Sequence, residues 1–252
     1  MKKQFTLSFL LLTFVAQAQV IPVGFMKKGV NNQLLYLDAT KTASYAGTGS
    51  TTWTDISGLS PANSATLING PTFSSGSFTF TGNQYALTSN LISSSLSNAT
   101  FIAWVNPSKI QTTYTGIIVS RANYASATAQ VIGLDFNQNN SIGYVWGDNI
   151  DTFLWNSGVQ VPIDQWSMVA LTITSSKAIV YLCKSSGITT AENLTTHTAT
   201  NGNLKFYVGL DPNVIPGWSF IGKMGTATVY STALTSSEIT SIFNAQKASF
   251  GL

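Results

Sequence analysis

Charge is scarce in this 252-residue chain: Asp, Glu, Lys and Arg together supply 8% of it, against about 25% in an ordinary soluble domain. Arg121 is the only arginine and lysines are few. No basic stripe is available to neutralise phosphates, so nucleic acid is not expected as a partner. Strongly charged polymers of either sign are disfavoured for the same reason. Cys183 is the single cysteine, which rules out an internal disulfide. It lies in the apolar run Val180-Tyr181-Leu182-Cys183, where a thiol behaves as a small buried hydrophobe. His197 is the only histidine, too few His and Cys for an ordinary zinc site. Glutamate occurs twice, at Glu192 and Glu238, and no Gly-rich phosphate loop is present.

What replaces charge is a mixture of Ser, Thr, Asn and Gly around a large apolar fraction, 44%, enough for a sizeable core. Residues 1–18 are predicted to be a signal peptide, cut at Gln19. Lys2 and Lys3 form its basic start, Phe5 to Val15 its apolar run, and Ala16-Gln17-Ala18 the small-residue cleavage pattern. That run is shorter than the roughly 20 apolar residues a spanning helix needs, and no later stretch is longer. The mature protein is therefore expected to be secreted, extracellular or periplasmic, without a membrane span. Loss of Lys2 and Lys3 leaves ten basic against nine acidic residues.

Residues 19–32 read as a lead-in, and from Gln33 onward short apolar or alternating runs recur between Gly, Asn, Ser and Pro clusters. Strands are predicted at Leu34 to Leu37, Thr66 to Asn69, Ser77 to Phe80, Thr100 to Val105 and Gly116 to Ser120. Others follow at Ala129 to Phe136, Ile142 to Trp146, Trp166 to Ile173, Ala178 to Cys183, Leu204 to Gly209 and Gly222 to Tyr230. Ser185 to Asn203 reads as a loop. One helix is signalled at the end, where Thr235-Ser236-Ser237-Glu238 forms a capping box and Ile239, Ile242 and Phe243 share a face. The expected class is all-β: an antiparallel β-sandwich (jelly roll) with a short C-terminal helix, over residues 33–247.

Several segments together resemble the concanavalin A-like lectin/glucanase superfamily, and within it the laminin G-like (LamG) domains of secreted bacterial proteins. The stretch Phe220-Ile221-Gly222-Lys223-Met224-Gly225, through Val229-Tyr230 to Ala233-Leu234-Thr235-Ser236-Ser237-Glu238-Ile239, is similar to their closing strand and helix. Gln165-Trp166-Ser167-Met168-Val169-Ala170-Leu171 with Val180-Tyr181-Leu182 is similar to their central hairpin. Leu35-Tyr36-Leu37-Asp38-Ala39, Trp53-Thr54-Asp55-Ile56-Ser57-Gly58 and Phe78-Thr79-Phe80-Thr81-Gly82-Asn83 resemble their opening strands, and Phe101-Ile102-Ala103-Trp104-Val105 fits as well. The resemblance implies the fold but not the function, since this fold carries lectins, glycosidases, adhesion modules and structural parts.

Glycosidases of that superfamily place two glutamates and an aspartate on one strand, so that one carboxylate attacks or orients water while another protonates the leaving oxygen. No Glu-x-Asp-x-x-Glu strand exists here. Glu238 is used as a helix cap, and Asp148 with Asp151 flank a turn. A non-catalytic module is expected, with no catalytic residue assigned. Six tryptophans and nine tyrosines suit a carbohydrate-binding or adhesion module, in which aromatic walls are joined by a few placed polar groups. The candidate ligand-binding residues are Tyr144, Trp146, Asp148, Asn149, Trp155 and Trp218, with Tyr114 and Tyr124 in loops as further aromatics. Trp104 and Trp166 are assigned to the core. Tyr144 and Trp146 share a strand face that reads equally as core or as ligand platform. The family resemblance also implies Ca²⁺, which needs about six to eight oxygens. Asp38 and Asp211 are its candidate donors, in a chain without EF-hand-like spacing. Glycans or surface proteins are the expected partners. The alternatives are a structural or protein-interaction domain without a sugar site, and a divergent glycoside hydrolase.

Overall fold

The computed structural model describes residues 32–47, 49–90, 95–121, 131–200 and 205–252. The expected signal peptide, all but the last residue of the lead-in, and Tyr124 lie outside the described residues.

Fifteen strands among those residues form two antiparallel sheets. They are β1 (Gln33–Asp38), β2 (Thr52–Trp53), β3 (Ala65–Ile68), β4 (Thr72–Ser74), β5 (Ser77–Thr81), β6 (Tyr85–Thr88), β7 (Ala99–Pro107) and β8 (Thr115–Arg121). Then come β9 (Val131–Phe136), β10 (Ile142–Trp146), the one-turn helix α1 (Ile150–Phe153), β11 (Ser167–Ile173), β12 (Ala178–Lys184), β13 (Gly187–Asn193), β14 (Phe206–Val208) and β15 (Ile221–Tyr230). Helix α2 (Ser236–Gln246) follows. The first sheet runs β13-β12-β11-β7-β15-β5-β4, with β1 also paired to β15; the second runs β10-β9-β8-β14-β6-β3-β2. This is the β-sandwich read from the sequence.

The expected strands are present, and the period-two alternation explains why. Between the sheets lie Leu35, Leu37, Phe78, Phe80, Phe101, Val105, Leu134, Phe136, Tyr144, Trp146, Phe206 and Phe220, all buried. The sequence reading missed β4, β6 and β13, which are short or carry few apolar residues, and reached β2 only through the resemblance of Trp53 to Gly58 to an opening strand. Ser185 to Asn203 is corrected in part: Gly187–Asn193 pairs along β12 as an edge strand. Its mostly exposed Thr and Glu face gave no alternation to detect.

The outer face of the first sheet is also covered. Ile102, Trp104, Met168, Ala170, Tyr181 and Cys183 pack beneath Ile239, Phe243 and Phe250. This burial on both faces accounts for the unbroken apolar runs of β7 and β11. Trp104 is core, as expected, but in this second layer: its ring stacks on Phe250 at 4.3 Å and on Phe243 at 5.7 Å. Its Nε1–H donates to Gln246 Oε1 at 2.8 Å. Trp166 is half-buried against the same Phe250. The capping box forms as read: Glu238 N–H donates to Thr235 Oγ1, and Thr235 N–H donates to Glu238 Oε2. Burial pushes the Cys183 thiol up to about 12, so it is inert as a nucleophile.

Candidate functional site

Among the described residues no long helix covers the outer face of the second sheet, and its β8, β9 and β10 carry the candidate site. In β9, Ile132, Leu134 and Phe136 point into the sandwich, which leaves Val131, Gly133 and Asp135 outward. In β10, Ile142, Tyr144 and Trp146 point inward and leave Gly143 and Val145 outward. Register then aligns Gly116, Asp135 and Gly143 in one row, and Val119, Gly133 and Val145 in the next. Asp135 is thus flanked by two glycines. A methyl on Gly143 would collide with Asp135 Oδ1, and one on Gly116 would collide with the Leu210–Asp211 backbone. The glycines let a carboxylate and a loop lie directly on the sheet.

Two short segments wall this floor. The first is α1. Asn149 caps it by accepting from Asp151 N–H at 3.0 Å, and Thr152 Oγ1 accepts from Trp146 N–H at 3.1 Å. That tie to β10 turns Phe153 onto the outward cluster Val119, Val131 and Val145. The second is the segment from Asp211 to Trp218. Trp218 carbonyl oxygen accepts from both Gly116 N–H and Asp211 N–H, each at 3.2 Å. Between the walls, Tyr114 meets Trp218 edge-on at 5.1 Å and Phe153 at 6.3 Å.

The half-open cavity between the walls has a volume of about 160 Å³ and is lined by Tyr114, Arg121, Asp135, Val145, Asp148, Phe153, Asp211, Asn213 and Trp218. Arg121 grips Asp211 with two bonds, Nε–H to Oδ1 at 2.9 Å and Nη2–H to Oδ2 at 2.8 Å. Asn213 N–H adds a third at 2.9 Å. Burial lifts the Asp135 carboxyl well above its ordinary value; the Asp211 charge adds to the shift and Arg121 opposes it.

Of the six residues read from the sequence, Asp148 and Trp218 line the cavity. Asn149 sits beside it as the cap of α1. The ligand-platform reading of Tyr144 and Trp146 is corrected. They share a face, but it is the inner one, and their exposures are 0% and 1%. Tyr144 Oη lies 3.0 Å from His197 Nε2, and Trp146 Nε1–H donates to Thr198 carbonyl oxygen at 2.7 Å. Trp155 is corrected likewise: it is half-buried against the inner core, edge-on to Tyr144 at 5.7 Å. Arg121 and Asp135 were missed as site residues. The usable signal was in Ile132-Gly133-Leu134-Asp135-Phe136 and Ile142-Gly143-Tyr144-Val145-Trp146, where bulky residues alternate with small or acidic ones.

The two aspartates proposed for calcium do not fit a shared ion. Asp38 lies on β1 of the first sheet. Its Oδ1 accepts from Thr40 N–H and Oγ1–H, and its Oδ2 accepts from Tyr36 Oη–H. Asp211 follows β14 of the second sheet and is held by Arg121. Among the described residues no three His, Cys, Asp or Glu side chains form a group able to hold a metal ion. Nor is any helix among them long and apolar enough to cross a membrane.

A laminin G family model, described as "Concanavalin A-like lectin/glucanases superfamily", matches residues 80–240. The chain belongs to the concanavalin A-like lectin/glucanase superfamily. The matched span of this superfamily member includes β8 to β10 and both segments that wall the cavity. No curated protein matches the sequence. Among solved structures, Trypanosoma rangeli sialidase is similar over 86% of this chain and 33% of its own, with 15% identity and a TM-score of 0.59. The same sialidase in complex with sialic acid aligns with 14% identity and a TM-score of 0.58 over the same shares. The chain therefore spans about a third of the sialidase's length, and the likeness speaks for the fold alone. Domain 4 of AbnA, a GH43 extracellular arabinanase from Geobacillus stearothermophilus, in complex with arabinotriose, aligns with a TM-score of 0.47 and 19% identity over 70% of this chain and 80% of its own.

Proposed function

We propose that this protein is a non-catalytic carbohydrate-binding module, secreted or displayed at the cell surface. The observation that carries the reading is the cavity on the outer face of the second sheet, where Tyr114, Phe153 and Trp218 meet Asp135, Asp148 and Asn213. Apolar ring walls with a few convergent polar groups are the general make-up of a small-ligand site. A volume of about 160 Å³ is below the roughly 300 Å³ at which such sites usually begin. It suits one sugar ring, recognised at a chain end. The predicted signal peptide supports the location.

Three carboxylates around a cavity raise the question of hydrolysis. Binding is favoured because Asp211 is committed to Arg121 and because a one-ring space leaves no room for sugars on both sides of a scissile bond. The two glutamates are occupied elsewhere, Glu192 with Lys177 and Glu238 with the helix cap. A protein-interaction reading has one observation in its favour: Ile150, Leu154, Val214 and Ile215 are exposed on the segments that wall the cavity.

The deciding experiment is a glycan array probed with the mature protein beside Trp218→Ala. The reading expects a set of glycans sharing a terminal residue, lost in the variant. Binding to no glycan, or retention of the full set by Trp218→Ala, would refute it. Release of reducing ends from any bound glycan would refute the non-catalytic part.

A further inference from the structure

The charge balance of the cavity narrows its ligand. Asp135, Asp148 and Asp211 line it against a single cation, Arg121. The guanidinium is already neutralised by its two-bond grip on Asp211, which leaves the Asp148 carboxylate and the buried Asp135 carboxyl, disposed by burial to keep its proton, without a matching positive group lining the cavity. The ring faces add to this, because aromatic faces carry negative quadrupole charge and attract cations. Tyr114 stands edge-on to both Phe153 and Trp218, so three rings set at steep angles border a space whose two remaining acidic groups have no cation beside them. A carboxylated or sulfated sugar would meet repulsion there. A neutral sugar would satisfy the rings and leave the carboxylates without a counter-charge.

We infer that the terminal residue recognised is an amino sugar whose nitrogen is free and protonated, with the ammonium seated among Asp135, Asp148 and the ring faces. This rests on the glycan-binding reading above and specifies its substrate class. Asp135 is 2% exposed and sits on the sheet floor between Gly116 and Gly143, so it meets whatever reaches the bottom. Asp148 stands exposed at the rim. Its left-handed backbone, φ 56°, places it in the turn between β10 and α1. A cation beside Asp135 would also favour the ionised form that burial now disfavours. A lysine side chain from a protein partner would supply the same ammonium, but it lacks a sugar ring to pack between Tyr114, Phe153 and Trp218.

Isothermal titration calorimetry of the mature protein at pH 6 and physiological salt tests this with three tetrasaccharides: β-1,4-linked glucosamine, its fully N-acetylated counterpart, and the corresponding glucose oligomer. The expected result is that the free-amine oligomer binds at least about tenfold more tightly than either of the others. Asp148→Asn, at the exposed rim, should cut that preference severalfold, and Asp135→Asn should do so too if the variant folds. Equal or tighter binding of the acetylated or neutral oligomer would overturn the amine inference while leaving the glycan-binding reading standing. An unchanged preference in Asp148→Asn would also overturn it. Binding of none of the three, with a blank glycan array, would remove both, as would capture of a lysine peptide in place of every sugar.

Discussion

Replacing Gly116 by alanine should damage the fold and the cavity together. Gly116 is at the β8 end of the row that includes Asp135 and Gly143, and its own backbone is not left-handed, so the cost is one of space. The added methyl would lie well inside the contact distance of Leu210 and Asp211 backbone atoms. Carbon atoms settle at about 3.5–4.0 Å, so strand and loop must part by about 1 Å. Overpacking of this kind costs about 1–3 kcal/mol. The bond from Gly116 N–H to Trp218 carbonyl oxygen, 3.2 Å, would be stretched away for about 1 kcal/mol more. A total near 3 kcal/mol corresponds to a fall of about 6–12 °C in Tm for a domain of this size. Because the displaced segment carries Asp211 and Trp218, glycan affinity should fall with it. Differential scanning calorimetry and calorimetric titration read the two effects. Gly158→Ala is the control: its φ is 68° with nothing within 4 Å of the added methyl, so it should cost about 1–2 kcal/mol of backbone strain and leave binding intact. A Gly116→Ala protein within 0.5 kcal/mol of the parent, or one destabilised with binding unchanged, would refute the account of how the loop is seated.

Arg121→Ala should cost about 3 kcal/mol, because it strands the buried Asp211 carboxylate without its partner. Urea unfolding should show much of the loss recovered in the double variant Arg121→Ala/Asp211→Asn, and no recovery would mean the pair is not the cause. His197 is buried, bonded to Thr174 carbonyl oxygen and Tyr144 Oη, and burial holds its pKa below the ordinary value despite the opposing Thr174 bond. A lowered folded pKa means stability is present above about pH 6.5 and lost as pH falls below it. Asp135, with its raised pKa, acts with the opposite sign: its contribution is present at low pH and lost as pH rises. The His197 share is therefore the difference in urea midpoint between parent and His197→Gln across pH 5–8, and identical slopes would exclude it. Thr235→Ala removes the capping box of α2 and should lower stability by about 1 kcal/mol, with a change under 0.3 kcal/mol in the same assay counting against a stabilising cap.

The fold was legible because its strands are written in alternation and its helix in a capping box. Phe101 to Val105 and Met168 to Leu171 are apolar without a break, and they occupy the sheet buried on both faces. The strands that escaped detection are short or carry few apolar residues, such as Gly187–Asn193, where Thr189, Thr190 and Glu192 give no apolar beat. The site was only half legible. Period two places Tyr144 and Trp146 on one face, but which face is inner depends on the strands across the sandwich, and those are distant in sequence. The large rings belong to the inward set, while the outward set is marked by small residues, Gly133 and Gly143, and the single carboxyl of Asp135. The Arg121–Asp211 pair spans 90 positions, and spacing along the chain carries no signal for it.

Why the cavity lies on the second sheet follows from what covers the first. Trp104, Met168 and Tyr181 give the first sheet's outer face enough apolar surface to hold α2, and Phe243 and Phe250 close over it. A face occupied in this way has no room for a ligand. Among the described residues the second sheet has no comparable helix. Near β14 and β6 its outer face carries the pair Tyr207 and Tyr85, 5.9 Å apart, and over β8 to β10 one turn of helix and one loop lie on it. An antiparallel sheet may keep one face toward water, and here that freedom allows Gly and Asp in place of Val and Ile. The same substitution that forfeits a second apolar layer creates a floor low enough for a ring to settle on. Ligand specificity in this chain should therefore track residues 114–218 and be indifferent to α2, whose task is to seal the other side.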